Sequence, residues 1–381
     1  MQMNRSWRYF WAAALLFSAS LCGSPVWADT LRVVTYNIQA DTGGAVGSIG
    51  GPDAGPGLTT VLQAIGSESL AGDAQPIDVL ALQELNGTPT TTLNFIVGQL
   101  NSIYGAGTYA YDTTTDPTDG NGLTGNGPSG LIYNTHTVKV VSAVSIGPVG
   151  SSGAARAPMR YELESVNSGP ASDFYMYVSH MKSSTTSSDA NRRNVEATEI
   201  RTNAATLGPN AHIIYAGDYN TTSSTEAAYK TMVASGVGQA IDTVNPANNW
   251  TASQSFMGLL TESATKVQFR DDYQMVSGPM LNQPGMQLVP GSYTAFGNNG
   301  SITLNSPINS AQNTALGDLS NRTTVLTALT TATDHLPIVA DYQFVPAPEP
   351  ASGTLLALAS VVLVHQMRRR GHRAARHAGC N

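Results

Sequence analysis

The sequence predicts an α/β domain in which two sheets pack face to face and carry their helices on the outside. Three observations lead there. Strand-like runs follow one another directly through the middle of the chain, both flanks alternate strand with helix, and residues 29–345 supply 317 positions, enough for one large domain. A simple doubly wound sheet would alternate throughout. Hydrophobic residues make up 41% of the chain, so a core is available. The 37 Gly and 20 Pro among 381 residues fall well short of the ~25–30% that marks low complexity, which excludes disordered and fibrous architectures. No internal repeat is apparent.

Taken in order, period and punctuation place the elements as follows. Leu31 to Asn37 reads as the first strand, the Gly-rich stretch from Gly43 to Gly57 as a loop, and Leu58 to Leu70 as a helix. Ile77 to Gln83 is a strand, Thr90 to Tyr104 a helix, and Asp116 to Pro128 a second loop. Four strands then follow at Gly130 to Asn134, Val138 to Ser145, Met159 to Val166 and Phe174 to His180. Helix Ser188 to Leu207, strand His212 to Gly217, helix Thr225 to Val233 and strand Val267 to Val276 come next. The Gly/Asn/Ser-rich stretch from Gly291 to Thr314 reads as a loop long enough to be functional or partly mobile, and Ile338 to Phe344 is the last strand.

The formal net charge of −7 hides a division. Arg5 and Arg8 lie at one end, and Arg368, Arg369, Arg370, Arg373 and Arg376 at the other, while the acids run from Asp29 to Glu349. Setting those seven aside leaves 12 basic against 26 acidic residues, a net of −14 for the middle. Such a body argues against broad electrostatic capture of DNA or RNA, since that affinity comes largely from Lys and Arg displacing counterions. It leaves open an enzyme that meets phosphate esters through bound cations.

Residues 1–28 read as a secretory signal, with Arg5 and Arg8 before the apolar run Tyr9 to Leu21 and a cleavage site at Val26-Trp27-Ala28. Cys22 falls inside this segment and Cys380 is the only other cysteine, so the mature chain has no internal disulfide. In the tail, residues 346–381, Pro348-Glu349-Pro350 introduces the apolar run Ala351 to Val364 and then the arginines. Those fourteen residues would span about 21 Å as a helix against a ~30 Å hydrocarbon core, a marginal membrane anchor with its basic end cytoplasmic. This order resembles the PEP-CTERM sorting signal of exopolysaccharide-making Gram-negative bacteria. The resemblance implies processing by an exosortase-like membrane enzyme and residence at the cell surface or in the extracellular matrix. An ordinary C-terminal anchor is the alternative.

Several strands end on polar groups. Leu31 to Asn37 closes on an amide, and Ile77 to Gln83 leads into Glu84. Either alone reads equally as a turn former or a solvated acid. His212 to Gly217 runs into Asp218 and Asn220, whose i, i+2 spacing aims both side chains the same way if the extended conformation persists. An acid and an amide there suit a phosphate beside a cation, with a Gly-Asp turn capping the next helix as the structural reading. His180 ends an aromatic strand with Lys182 two residues on, and Asp334-His335 precedes the last strand. Asp271 and Asp272 enter another strand, where one of them could orient His335 as an acid orients a catalytic imidazole. The chain has no Gly-x-Ser-x-Gly elbow, no cysteine between 29 and 345 and no His-Glu-x-x-His pattern, which disfavours covalent hydrolases and zinc. The oxygen-rich set Asn37, Glu84, Asp218, Asn220 and Asp334 matches a hard cation, Mg²⁺ first and Mn²⁺ or Ca²⁺ next.

These motifs, Thr35-Tyr36-Asn37, Leu82-Gln83-Glu84, Ser179-His180, Gly217-Asp218-Tyr219-Asn220, Asp272-Tyr273 and Asp334-His335-Leu336-Pro337, resemble in kind and order those of the endonuclease/exonuclease/phosphatase superfamily. Gly130 to Asn134 and Arg156-Ala157-Pro158 also look like its central strands, and the likeness covers about residues 31–343. The resemblance implies a four-layer α/β/β/α sandwich of two mixed sheets with helices outside, and a divalent-metal-dependent phosphoesterase acting by direct attack of water. It implies that Glu84 binds the catalytic metal with Asn37 beside it, and that Asp334 holds a second metal or orients its neighbour. His335, held by Asp272, would act as general base or stabilise the phosphoryl group, and Asp218 would handle the attacking water or another proton. Asn220 and His180 would contact the scissile phosphate, and Arg156 resembles the substrate-side arginine. Asp271 stands where the family usually has an apolar residue, so either Asp271 or Asp272 could be the partner of His335. An extracellular nuclease, meeting nucleic acid otherwise than through a broad basic surface, is expected first. A lipid phosphodiesterase or small-phosphoester phosphatase comes next, and a non-catalytic surface or matrix binding protein is the reading from another class. The expected assembly is a monomer.

Overall fold

The computed structural model describes residues 30–40, 57–85, 89–114, 127–246, 250–347 and 365. The signal-like segment, nearly all of the sorting tail, the Gly43 to Gly57 loop except Gly57, and most of the Asp116 to Pro128 loop lie outside the described residues. The chain divides into one unit at Met1–Val345 and another at Pro346–Asn381, and the elements below belong to the first. Among the described residues no helix is long and apolar enough to cross a membrane.

The elements run β1 (Thr30–Asn37), α1 (Leu58–Ser67), β2 (Ser69–Leu70), β3 (Asp73–Ala74), β4 (Val79–Gln83), α2 (Pro89–Tyr104), β5 (Tyr109–Tyr111), β6 (Gly130–Asn134), β7 (Val138–Ser145) and β8 (Met159–Ser165). They continue with β9 (Phe174–His180), α3 (Ser187–Thr206), β10 (Ile213–Asp218), α4 (Ala227–Val233), β11 (Asp272–Val276), α5 (Pro279–Asn282), β12 (Gly285–Leu288), β13 (Thr294–Ala295), α6 (Arg322–Ala332) and β14 (Ile338–Val345). One sheet has the order β12-β14-β1-β4-β6-β5, with β13 also on β14, and the other β11-β10-β9-β8-β7. Each is mixed: β1 with β4 and β9 with β10 are parallel, and the other pairs are antiparallel.

Three cores stack to make four layers. Leu31, Val33 and Val79 of the first sheet meet Met176, Val178 and Ile214 of the second. Val34, Tyr36 and Leu80 face the other way, onto Val61 and Ile65 of α1, Leu93 and Ile96 of α2 and Val325 and Leu329 of α6. On the outer face of the second sheet, Tyr177, Ile213 and Tyr215 pack on Ala197 and Ile200 of α3 and Met232 of α4. The order is therefore α/β/β/α. Strands covered on both faces have no reason to alternate, which is why β4 reads as a continuous apolar run up to Gln83 and β1 as a buried run interrupted by Arg32 and Thr35.

Arg32 is the main polar tie in this core. Its Nε and Nη2 donate to both oxygens of Asp341 on β14 at 2.8 and 2.9 Å, and its remaining donors take the carbonyls of Ile65, Glu68 and Asp73. A guanidinium on the last-turn carbonyls stops α1 at Ser67, short of the expected Leu70, which instead pairs with Asp73. Arg32→Met should strand Asp341 without its partner and lower stability by about 3–5 kcal/mol, read from the midpoint of urea denaturation.

Two other departures from the expected elements have a visible cause. β11 begins at Asp272 rather than Val267, because Phe269 folds back on Glu262 and the guanidinium of Arg270 turns to Asp242 at 2.8 Å, over the rings of Trp250 and Tyr273. The Gly291 to Thr314 stretch contributes β13 and packs Phe296, Ile302 and Ile308 into the core, with Asn298 and Asn313 satisfying buried carbonyls, so it is an ordered wall of the domain.

Candidate active site

Register brings the polar strand ends together. Asn37 pairs with Gln83, so Glu84 is the next residue beyond the sheet. Asp218 is flanked by His180 on one side and Asp272 on the other. Ile338 pairs with Thr35, which returns His335 and Asp334 to the same end of the sandwich. The carboxyl ends of parallel strands are where open α/β sheets place their ligands. Gly217 makes one of these junctions: a Cβ there would lie 2.0 Å from the carbonyl oxygen of Ser179, and its φ is +156°. Only glycine fits. Gln39, Glu84 and Asn220 all adopt positive φ, near 50 to 56°, turning the chain sharply just past three strand ends.

At the centre, Nδ2 of Asn37 donates to Glu84 Oε1 at 3.0 Å and to Asp218 Oδ2 at 2.9 Å, joining acids that come from different sheets. His180 Nε2 stands 3.6 Å from Glu84 Oε1 and 3.5 Å from Asp218 Oδ2. His335 Nδ1 bonds Asp272 Oδ2 at 2.7 Å, which aims Nε2 outward, 4.0 Å from Asp218 Oδ2 and 3.7 Å from Asp334 Oδ1. Gln39 Nε2 donates to Asp334 Oδ2 at 2.8 Å. Three overlapping trios hold possible ligand atoms within 4.8 Å of one another: Glu84, His180 and Asp218; Asp218, Asp272 and His335; Glu262, Asp334 and His335.

Electrostatics separate the two histidines. Burial and then the Arg156 guanidinium hold the His180 imidazole well below its usual range, so it is neutral. For His335 burial acts in the same direction, yet the carboxylates of Asp272, Asp334 and Asp218 outweigh it and raise its pKa well above the usual value. Asp218 is pushed up to about 7, first by burial and then by the negative charge of Asp272. A carboxyl and an imidazole displaced in this way within one cleft are suited to moving protons near neutrality.

The structure thus brings Asn37, Glu84, His180, Asp218, Asp272, Asp334 and His335 together at one end of the sandwich. Of the two neighbouring acids it is Asp272 that pairs with His335, while Asp271 shares a hydrogen bond with Glu262. Two expectations need correction. The extended conformation does not persist past Asp218: Asn220 has a φ of +50°, its amide nitrogen caps Asp218 Oδ1, and its Nδ2 donates to the carbonyl of Met181 at 3.2 Å. Arg156 is buried, donating to the carbonyls of His180 and Gly127 at 3.3 and 3.2 Å, so its guanidinium holds backbone next to the site. Asp334 also sits apart from Glu84, in the trio with Glu262. Sequence reasoning missed Gln39 and Glu262; Gln39 had a signal, lying two residues past the Asn37 strand end, whereas Glu262 arrives through an irregular bridge to Phe269 and His335.

Among solved structures, the chain is similar to an endonuclease/exonuclease/phosphatase family protein from Bacteroides thetaiotaomicron, at 15% identity and a TM-score of 0.50 over 83% of this chain and 96% of that one. That likeness shows the fold. Others are the human Nocturnin catalytic domain with bound sulfate, at 18% identity and TM-score 0.48 over 83% and 95%, and a mannosyl-6-phosphatase of Bacteroides thetaiotaomicron, at 14% and 0.49 over 82% and 100%. No protein-family model and no curated protein matches the chain.

Proposed function

We propose that this chain is a divalent-metal-dependent phosphoesterase that hydrolyses phosphodiester bonds by direct attack of water. The observation that carries the reading is the convergence of an Asp272-held His335 and the Asn37-bridged pair Glu84 and Asp218 on one cleft. The residues fit a hard cation: two carboxylates lie on either side of a single amide, and the neighbouring His180 is neutral, so negative charge accumulates among oxygen donors. Glu84 and Asn37 would hold the metal, Mg²⁺ fitting first and Mn²⁺ or Ca²⁺ next, and Asp334, in the separate trio with Glu262, would hold a second cation or orient His335. When bound, the cation supplies Lewis-acid stabilisation of charge on the phosphoryl oxygens.

The protein's own groups do the rest. Asp218, with its carboxyl pushed up to about 7, is poised to take a proton from the attacking water. His335, charged and fixed by Asp272, presents Nε2 to a developing phosphoryl oxygen. His180 would contact the phosphate, with Asn220 and Arg156 holding its segment through the carbonyls of Met181 and His180. No nucleophilic side chain is needed.

For substrate we favour an extracellular nuclease. The acidic body, −14 between the two Arg-bearing ends, favours a second reading in which the substrate is a small phosphoester or a lipid headgroup rather than a long polyanion. Incubation with Mg²⁺ and plasmid DNA, RNA, sphingomyelin or bis-p-nitrophenyl phosphate should give hydrolysis that EDTA abolishes. If every substrate stays intact with Mg²⁺, Mn²⁺ and Ca²⁺, the catalytic reading fails. Residues 1–28 and 346–381 support a further proposal, export with C-terminal processing and residence at the cell surface or in the matrix, which terminal sequencing of the mature protein tests.

A further inference from the structure

Helix α3 packs on the second sheet with a face that is partly charged: Arg192, Arg193 and Glu196 are buried beside Ala197, Ile200 and Ala204. Arg193 and Glu196 are each 1% exposed, and their i, i+3 spacing puts them on one side of the helix. Glu196 Oε1 accepts the amide of Ala155 at 2.7 Å and Oε2 the amide of Lys182 at 2.9 Å. The first of these segments continues into Arg156, the second follows directly on His180. Arg193 Nη1 donates to the carbonyls of Lys182 and Ser184, both at 2.7 Å, so Lys182 is gripped at its amide by one side chain and at its carbonyl by the other. Arg193 Nε pairs with Glu226, whose other oxygen accepts the amide of Thr222, two residues beyond Asn220.

Two of these segments, the one leading into Arg156 and the one following His180, therefore meet on two side chains of one helix, and the Asn220 segment joins them through Glu226. Stability alone does not call for this arrangement, because well-packed apolar residues of similar volume are often as stabilising as buried charges. Apolar side chains have no directional bonds with which to set a loop's backbone. We propose that Arg193 and Glu196 are positioning residues, a clamp that fixes the loops carrying Arg156, His180 and Asn220 against the scissile phosphate. The clamp rests on the phosphoesterase reading for its purpose. Glu84 and Asn37 belong to the other sheet, so the clamp should act first on the phosphate side; it reaches Glu84 through His180, whose Nε2 lies 3.6 Å from Glu84 Oε1.

The test uses the full-length chain as wild type, Glu196→Gln and Arg193→Lys. Three quantities are measured: hydrogen exchange without metal, Mg²⁺ affinity by calorimetry, and kcat/KM for bis-p-nitrophenyl phosphate. Glu196→Gln should speed exchange together in residues 150–158 and 181–186 and lower kcat/KM about 10²-fold, the scale of a small misplacement of catalytic groups, and Mg²⁺ affinity much less. Arg193→Lys should speed exchange in residues 181–186 and 222–226 and leave 150–158 protected; it also serves if the glutamine variant fails to fold. Exchange unchanged in those segments overturns the proposal. So does faster exchange with wild-type kcat/KM, or an Mg²⁺ affinity that falls in step with activity. A wild-type chain that hydrolyses no phosphoester sinks the phosphoesterase reading instead, and the exchange pattern then decides the clamp alone.

Discussion

His335→Ala is expected to lower kcat/KM about 10³-fold, within the ~10²–10⁴ range of a positioned acid–base group. The imidazole does two things that alanine cannot. It offers Nε2 to the cleft, and through Nδ1 it neutralises Asp272, an acid with no exposed surface. Asp272→Asn separates these roles. The amide keeps the shape but no longer holds His335 charged, so activity should fall while the fold stays intact. The loss should shrink at lower pH, where an imidazole returned towards its ordinary pKa regains its proton. Rates from pH 5 to 8 check this. Wild-type turnover in His335→Ala would end the catalytic reading.

Glu84→Gln should remove the metal dependence at its source. The side chain keeps its length and its contact with Asn37 but loses the charge that offsets a divalent cation. Lewis-acid stabilisation is worth several kcal/mol and each 1.36 kcal/mol is tenfold in rate, so a loss of about 10³-fold at fixed Mg²⁺ is expected. Titrating Mg²⁺ while following rate and binding heat separates weakened binding from lost chemistry. An Mg²⁺ affinity equal to wild type would show that the cation is held elsewhere, for example by Glu262 and Asp334.

Much of this arrangement was legible in the chain because strands buried on both faces stay apolar until they end, and the first polar residue then marks the sheet's edge. Asn37, His180 and Asp218 stood out in that way, and His335 by its place just before the last strand. What was not legible depended on contacts between distant segments. Helix α6 was missed because its threonines have modest helix propensity, and their hydroxyls bond back to carbonyls three or four residues earlier, although Val325, Leu326 and Leu329 are spaced helically. The premature end of α1 is set by Arg32, 33 residues from Ile65. The geometry of Asn220 escaped because a two-residue alternation holds only while the chain remains extended. The charged face of α3 offered no apolar stripe to read, since its inward residues are recognised only by the loops they hold.

The position of β14 sets when the candidate site is complete. β1 is the first strand to be synthesised, yet its neighbour on one side is the last, and His335 enters the cleft only with that final strand. A chain still leaving the ribosome has Asn37, Glu84 and Asp218 but lacks the imidazole, and β1 keeps an open edge that only β14 can close. On the proposed reading, competence arrives with β14 and all at once, because an unfinished chain holds the carboxylates without the imidazole.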